Sequence, residues 1–280
     1  MKIAIGQFND LRVVANHANG AILDGGLSGE ILLRRDPGQS ALDIGARVNV
    51  FIYTDGDGGL AATTTQPLVQ MGQVALLEVV DVTDIGAFVD WGLPRDLFIP
   101  FAEQQHPLRK GRKELVKVYL DNQNRVAGST RIDHWINDDA SGLKVGDAVS
   151  LVIADRTELG MKAIINHRSW GLLYGNELFR KVRKGQVIEG YIKKIRPGDK
   201  IDLSLSRPGF SKDKTEELCA AIVAHLEAHG GSMSLTDKSM PQEIYAAFGV
   251  SKKAFKQALG ALYKQRRVSL APGSVTLLLA

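Results

Sequence analysis

Apolar residues along this chain come mostly in short runs, and the runs recur as a series. Leu11 to Val14, Val74 to Val80 and Val149 to Ile153 each follow a glycine and alternate or stay apolar. Second runs appear at AILD, AFVD and MKAI. Third runs are EILL from Glu30, DLFI from Asp96 and GLLY from Gly171. Fourth runs are ARVNVFIY, RKELVKVYL and QVIEGYIKKI, and LAATT, VAGST and IDLSLS close the three series. Short runs of period two, rich in β-branched residues, predict strands. Each series therefore predicts about five strands in roughly 65–75 residues.

The glycines keep the same beat. Gly6, Gly20 and Gly45 lie 14 and 25 residues apart, as do Gly72, Gly86 and Gly111, and Gly146, Gly160 and Gly185. One match among 29 glycines would mean little, but three in succession with like flanks mark an internal repeat. Such glycines are expected at turns, bulges or sharp bends, where a side chain is disfavoured. Five short strands fit a small closed barrel of the OB type better than a sandwich, which uses about seven.

The period changes after Pro208-Gly209, a natural boundary. Leu218, Ile222, Val223 and Leu226 predict a helix over 213–229, stopped by Gly230-Gly231. A short strand is predicted at Met233–Leu235. A second helix is predicted from Pro241 to Phe248 with Ser239 as its cap, and Ser251 is predicted to cap a third. Ala254, Phe255, Ala258, Leu259 and Leu262 share one face of that third helix. Val268–Leu270 and Val275–Leu279 predict a hairpin around Ala271-Pro272-Gly273. Three helices and a hairpin make a winged helix-turn-helix. The fold expected is thus mainly β with a small α+β C-terminal domain. It comprises three tandem five-stranded OB-fold barrels (1–66, 67–138, 139–208) and a winged helix (212–280).

Composition narrows the function classes. Hydrophobic residues are 44% and charged residues 24% of 280, a globular balance. No apolar run approaches the ~18 residues of a membrane span, and the first residues show no secretory signal. A soluble, cytoplasmic protein with no membrane partner is expected. Cys219 is the lone cysteine, so neither a disulfide framework nor a multi-cysteine zinc site is expected. Residues 1–66 carry 5 basic and 7 acidic side chains, and 67–137 carry 8 and 9. Residues 138–208 carry 13 and 9, and 209–280 carry 9 and 6, so the positive excess lies in the second half. That bias favours a polyanion partner, although solvated faces produce such biases too.

Catalytic signals are weak. His225 and His229 stand at i, i+4, but Glu227 is misplaced for a zinc-protease helix, and ordinary surface histidines are the better reading. Asp55-Gly-Asp-Gly-Gly reads as a hairpin turn, and Cys219 as a core residue. No phosphate-binding loop or nucleophile elbow occurs. Neither an enzyme nor a cofactor is expected.

The segment GQVALLEVVDVTDIGAFVDWGLPRDLFIP (72–100) resembles the start of an S1 domain, the OB-fold RNA-binding repeat. That likeness implies a stacking role for Phe88, and Asp121 and Arg125 match the pair framing the last hairpin. Ile99 stands where the family has a histidine. In the third unit Lys162 takes the Phe88 position, Tyr174 the histidine position and Lys200 the Arg125 position. The first unit has lost these features and is expected to be the poorest RNA binder. With the terminal segments DKSMPQEI and SKKAFKQALGALYK, the whole chain resembles the bacterial conserved virulence factor B (CvfB) family. That resemblance implies RNA binding and an influence on expression of virulence and secreted proteins.

Single-stranded RNA is therefore the expected partner, held by base stacking and phosphate contacts. The nucleic-acid-binding candidates are Phe88, Arg125, Lys162, Tyr174, Lys193, Lys194, Arg196, Lys200, Lys252, Lys253 and Lys256. Lys193, Lys194, Arg196 and Lys200 form the densest basic hairpin, and Arg109, Lys110, Arg112 and Lys113 a second basic stretch. The three lysines of the terminal helix would hold DNA or RNA phosphates, or form a solvated face on a protein-docking module. Trp91 is the next stacking candidate after Phe88, with packing against a neighbouring barrel its better reading, and Trp135 and Trp170 are expected to pack between domains or in loops.

Overall fold

The computed structural model describes residues 2–34, 40–55, 58–178, 181–207 and 212–278. The expected boundary at Pro208-Gly209, Gly56 and Asp57 of the Asp55 turn, and Leu279 of the final strand lie outside them. The first unit comprises β1 (Phe8–His17), β2 (Gly20–Asp24), β3 (Glu30–Arg34), β4 (Arg47–Thr54) and β5 (Leu60–Thr63), closed in the order β1-β2-β3-β5-β4. The second comprises β6 (Val74–Val82), β7 (Gly86–Asp90), β8 (Leu97–Pro100), β9 (Lys113–Leu120) and β10 (Val126–Ser129). A four-residue helix, α1 (Ile132–Trp135), leads to the third unit. That unit holds β11 (Ala148–Arg156), β12 (Gly160–Ile165), β13 (Ser169–Tyr174), β14 (Val187–Arg196) and β15 (Lys200–Ser204), closed like the first.

The glycine beat has a geometric cause. At Gly20, Gly86 and Gly160 φ is 158°, 158° and 157°. A Cβ there would lie 1.9, 2.4 and 2.0 Å from the carbonyl oxygens of Leu33, Ile99 and Leu173 on the neighbouring strand. Only glycine admits that approach. Gly45, Gly111 and Gly185 have φ of 92°, 78° and 80°, and their N–H groups donate to the carbonyls of Val13, Val79 and Ile153. Each of those acceptors sits where its strand's register shifts, at Val13/Ala15, Val79/Asp81 and Ile153/Arg156. The repeated glycines thus set one bulge and one close strand approach per barrel.

The second unit differs in closure. In the first and third, the last strand pairs in parallel with the third strand, as Leu32 with Ala61 and Gly171 with Ile201. In the second the order is β10-β9-β6-β7-β8, with its two end strands not paired to each other. Side chains close the gap instead. A Cβ on Gly128 would meet Ile99 at 2.9 Å and Leu97 at 3.2 Å.

The barrels share cores at their seams. Phe51 of β4 is fully buried in the core of the second barrel, with Trp91 edge-on to it at 5.7 Å. Met71 N–H donates to Gly6 carbonyl across that seam. Between the second and third barrels, Val74 and Leu115 pack with Val152, Ile164 and Trp170, bridged by Ile132 and Ile136. Lys117 Nζ donates to the carbonyls of Gly72 and His167 there, and Val74 N–H donates to His167 Nδ1 at 3.0 Å. Trp91 and Trp170 therefore pack between units, as expected. Trp135 lies against Tyr119 of β9 at 4.7 Å.

The terminal module contains α2 (Lys212–Ala228), β16 (Ser232–Met233), α3 (Pro241–Phe248), α4 (Lys252–Lys264), β17 (Val268–Ala271) and β18 (Ser274–Leu277). Ile222, Leu226, Ile244, Phe255, Ala258 and Leu262 fill its core. Cys219 is buried there and its thiol is pushed up by burial. Ser251 caps α4 by accepting from Ala254 N–H at 3.2 Å. Ser239 does not cap α3. The cap is Met240, whose N–H donates to the Glu243 carboxylate, while Ser239 Oγ accepts from Thr236 N–H one turn earlier. Pro241 takes the first helical position and so leaves the preceding residue, not Ser239, at the cap.

Candidate nucleic-acid interface

Strand alternation builds the principal face. On β7, Ala87 and Val89 point into the core and Phe88 points out. On β8, Leu97 and Ile99 point in and Phe98 points out. Phe88 and Phe98 are register partners, with ring centroids 5.2 Å apart. Together with Tyr119 of β9 and Arg125 at the mouth of β10 they line a cleft of about 310 Å³. Tyr53 of the first barrel and Arg95 complete the wall.

The hairpin beside the cleft is fixed by one carboxylate. Asp121 accepts from the backbone N–H of Gln123 and of Arg125, and from Arg125 Nε at 2.9 Å. Burial alone would raise the Asp121 carboxyl, but these bonds and the Arg125 charge outweigh it and hold it below its ordinary value. Tyr119 is pushed up to about 12 by burial, with Glu103 and Asp121 adding to the shift, so its phenol keeps its proton. Asp96 also lines the cleft, raised by burial and by Asp90 and Asp81. With carboxylates and guanidinium groups both present, the cleft's character is aromatic rather than strongly cationic.

The same register position in each barrel shows what varies. Ile22 faces Leu32 in the first barrel, Phe88 faces Phe98 in the second, and Lys162 faces Leu172 in the third. Only the second presents two aromatic rings. Phe98 was missed in the sequence because Ile99 was matched to the histidine position; the alternation of LFIP places Ile99 in the core and Phe98 outward. Likewise Tyr174 pairs with Gly160, at the place of Pro100 rather than that of Ile99, the histidine position. The stagger between the units hid that offset.

The third barrel gathers cations instead. Lys162 Nζ lies 3.6 Å from the Trp170 ring centroid and 2.9 Å from Asp133 Oδ1. Arg196 Nε donates to Asp202 at 2.9 Å, and Tyr174 hydroxyl reaches the same carboxylate at 3.4 Å. Lys162, Arg196 and Lys200 line one shallow depression with Leu159 and Leu172. Lys193 is paired with Glu177. Among the described residues, Lys194 and Lys200 have no carboxylate within ion-pair reach. In the second basic stretch, Lys110 and Lys113 face Asp81 and Glu78, each at 3.9 Å.

On α4, Lys253 and Lys256 are exposed and Lys252 is half-buried, while Phe255 and Leu259 are buried in the core. Lys256 Nζ is 3.9 Å from Asp237. His225 and His229 stack at 4.1 Å, and His229 Nδ1 lies 2.8 Å from the His225 carbonyl. Among the described residues no cluster of three His, Cys, Asp or Glu is placed to hold a metal ion. No helix among them is long and apolar enough to cross a membrane.

Comparison with known proteins agrees with this architecture. Residues 5–65 match the S1 domain, and residues 220–277 match the CvfB-like winged helix domain. The chain joins S1-type barrels to a CvfB-like winged helix. The resemblance to the CvfB family read from the sequence is thereby borne out, and both are domain types of the nucleic-acid-binding kind rather than of an enzyme family. Conserved virulence factor B of Staphylococcus epidermidis (strain ATCC 12228) is 24% identical over 289 residues, covering 99% of this chain and 95% of the relative. An uncharacterized protein of Bacillus subtilis (strain 168), YitL, is 29% identical over 230 residues, covering 79% and 76%. A crystal structure of a multidomain protein with nucleic acid binding domains from Streptococcus pneumoniae TIGR4 aligns at 24% identity over 98% of both chains, with a TM-score of 0.41. The S1 match falls on the first barrel, the unit expected from the sequence to be the poorest RNA binder.

Proposed function

We propose that this protein is a non-enzymatic, cytoplasmic RNA-binding regulator that acts after transcription, and that it holds single-stranded RNA chiefly on the second barrel. The observation that carries this reading is the Phe88–Phe98 pair beside Tyr119 and Arg125. Unpaired bases stack on such rings at about 1–3 kcal/mol each, and a guanidinium takes the adjoining phosphate. Lys162, Lys194, Arg196 and Lys200 on the third barrel, and Lys252, Lys253 and Lys256 on α4, extend the contact to phosphates without base preference. By family resemblance, the regulated products are virulence and secreted factors.

The test is fluorescence anisotropy with a labelled oligouridine across a salt series. Phe98→Ala is expected to weaken binding about 5- to 150-fold, the equivalent of one stacked base. Affinity is expected to fall steeply with salt. Wild-type affinity in Phe98→Ala would remove the aromatic face from the site. Duplex DNA bound more tightly than single-stranded RNA would favour a DNA-binding role through the winged helix instead.

A further inference from the structure

The cleft of the second barrel is not walled by the second barrel alone. We propose that it is a two-barrel site, in which the end of β4 in the first barrel supplies a further base platform, Tyr53, and extends the length of single-stranded RNA held. The proposal rests on reading the second barrel as the RNA-binding face.

Four observations carry it. First, Tyr53 and Thr54 line the same cleft as Phe88, Phe98, Tyr119 and Arg125. Second, β10 lacks the parallel ladder that its counterparts make in the other barrels, and the first barrel takes up part of its edge. Thr54 Oγ1 accepts from Val126 N–H at 3.2 Å, next to Arg125. Third, the wall is fixed before any ligand arrives. Tyr53 is half-buried and held edge-to-face against Trp91 at 6.5 Å and 84°, and the Phe51–Trp91 and Met71–Gly6 contacts lock the seam beneath it. A platform that is already ordered adds affinity without a fresh ordering cost. Fourth, Arg95 of the second barrel lines the same cleft as Tyr53. Burial raises the Tyr53 phenol, while Arg34 of the first barrel and Arg95 of the second are close enough to pull it down, with Asp55 acting the other way.

A strand stacked on Phe88 and Phe98 would therefore meet, beyond the mouth of the barrel, another ring, with Arg95 and Arg125 lining the same cleft. That arrangement gives the first barrel a role although its own Ile22–Leu32 pair offers no ring to a base. The divergent unit acts as a wall for its neighbour's site.

The experiment compares oligouridines of about four and about eight nucleotides, lengths within the range one OB fold covers. Tyr53→Leu keeps an apolar side chain against Trp91 and removes the stacking face; Tyr53→Ala and Tyr53→Phe accompany it. For Tyr53→Leu and Tyr53→Ala the expected result is a loss of about 5- to 150-fold on the longer RNA and less than about threefold on the shorter. Tyr53→Phe is expected to bind both as wild type does. Wild-type binding of the longer RNA by Tyr53→Leu overturns the proposal. Equal losses on both lengths also overturn it, since they would report a disturbed seam rather than a lost platform. Phe98→Ala run in parallel separates the two readings. If it weakens both RNAs while Tyr53→Leu weakens neither, the second-barrel face stands and the two-barrel site falls. If Phe98→Ala binds as wild type, the face itself falls.

Discussion

Replacing Trp91 by alanine tests whether the first two barrels behave as one body. Trp91 is 3% exposed. Its ring meets Phe51 at 5.7 Å and Tyr53 at 6.5 Å, both from the other barrel, and its Nε1 donates to the Arg95 carbonyl at 2.6 Å. Truncating a buried tryptophan costs about 3–5 kcal/mol through lost transfer energy and the cavity left behind. The two edge-on aromatic contacts and the hydrogen bond fall within that range rather than adding to it, because they vanish together. About 4 kcal/mol in a unit of two barrels corresponds to a fall in Tm of roughly 15 °C. Trp91→Phe keeps a ring in the seam and loses mainly the hydrogen bond, a cost of about 1–2 kcal/mol. Thermal unfolding followed by circular dichroism measures both variants. Hydrogen exchange then locates the loss in β4, β6 and β7, with α4 unchanged. A loss below about 1 kcal/mol for Trp91→Ala would mean that the barrels are independent modules, and the fixed wall at Tyr53 would lose its basis.

Two further outcomes follow from the geometry. Gly86→Ala would put a Cβ 2.4 Å from the Ile99 carbonyl, so β7 and β8 must part; a loss of about 1–3 kcal/mol in urea unfolding and weaker RNA binding are expected, and unaltered stability would refute the close-approach account. His167 accepts Val74 N–H on Nδ1, and burial, followed by the Lys117 charge, holds its pKa below the ordinary 6.5. The unfolded chain takes up this proton first, so His167's contribution is full above about pH 6.5 and declines as pH falls from there toward the folded value. Lys117, itself lowered by burial and by Arg168, stays opposite the ring. Urea midpoints of wild type and His167→Asn between pH 7.5 and 5 are expected to differ in slope, with the wild type steeper; parallel curves would remove His167 from the seam's pH response.

The number of barrels, their strand count and the winged helix were all legible in the order of residues alone. That was possible because a glycine forced by a carbonyl 2 Å from where its Cβ would lie cannot drift, so its spacing survives as a readable beat. Periodicity likewise placed the core of α4 and the packing role of Trp91. Which outward residues meet was decided only in three dimensions. Phe98 was passed over for Ile99 because a shift of one residue exchanges the two faces of a strand. Nor does any local signal tell that Tyr53 belongs to the next barrel's cleft, or that the second barrel is left unlatched between β8 and β10. Those features arise where separately folded surfaces press together. Chemistry along a chain specifies each barrel from within, whereas a site shared between barrels depends on how their outer faces fit.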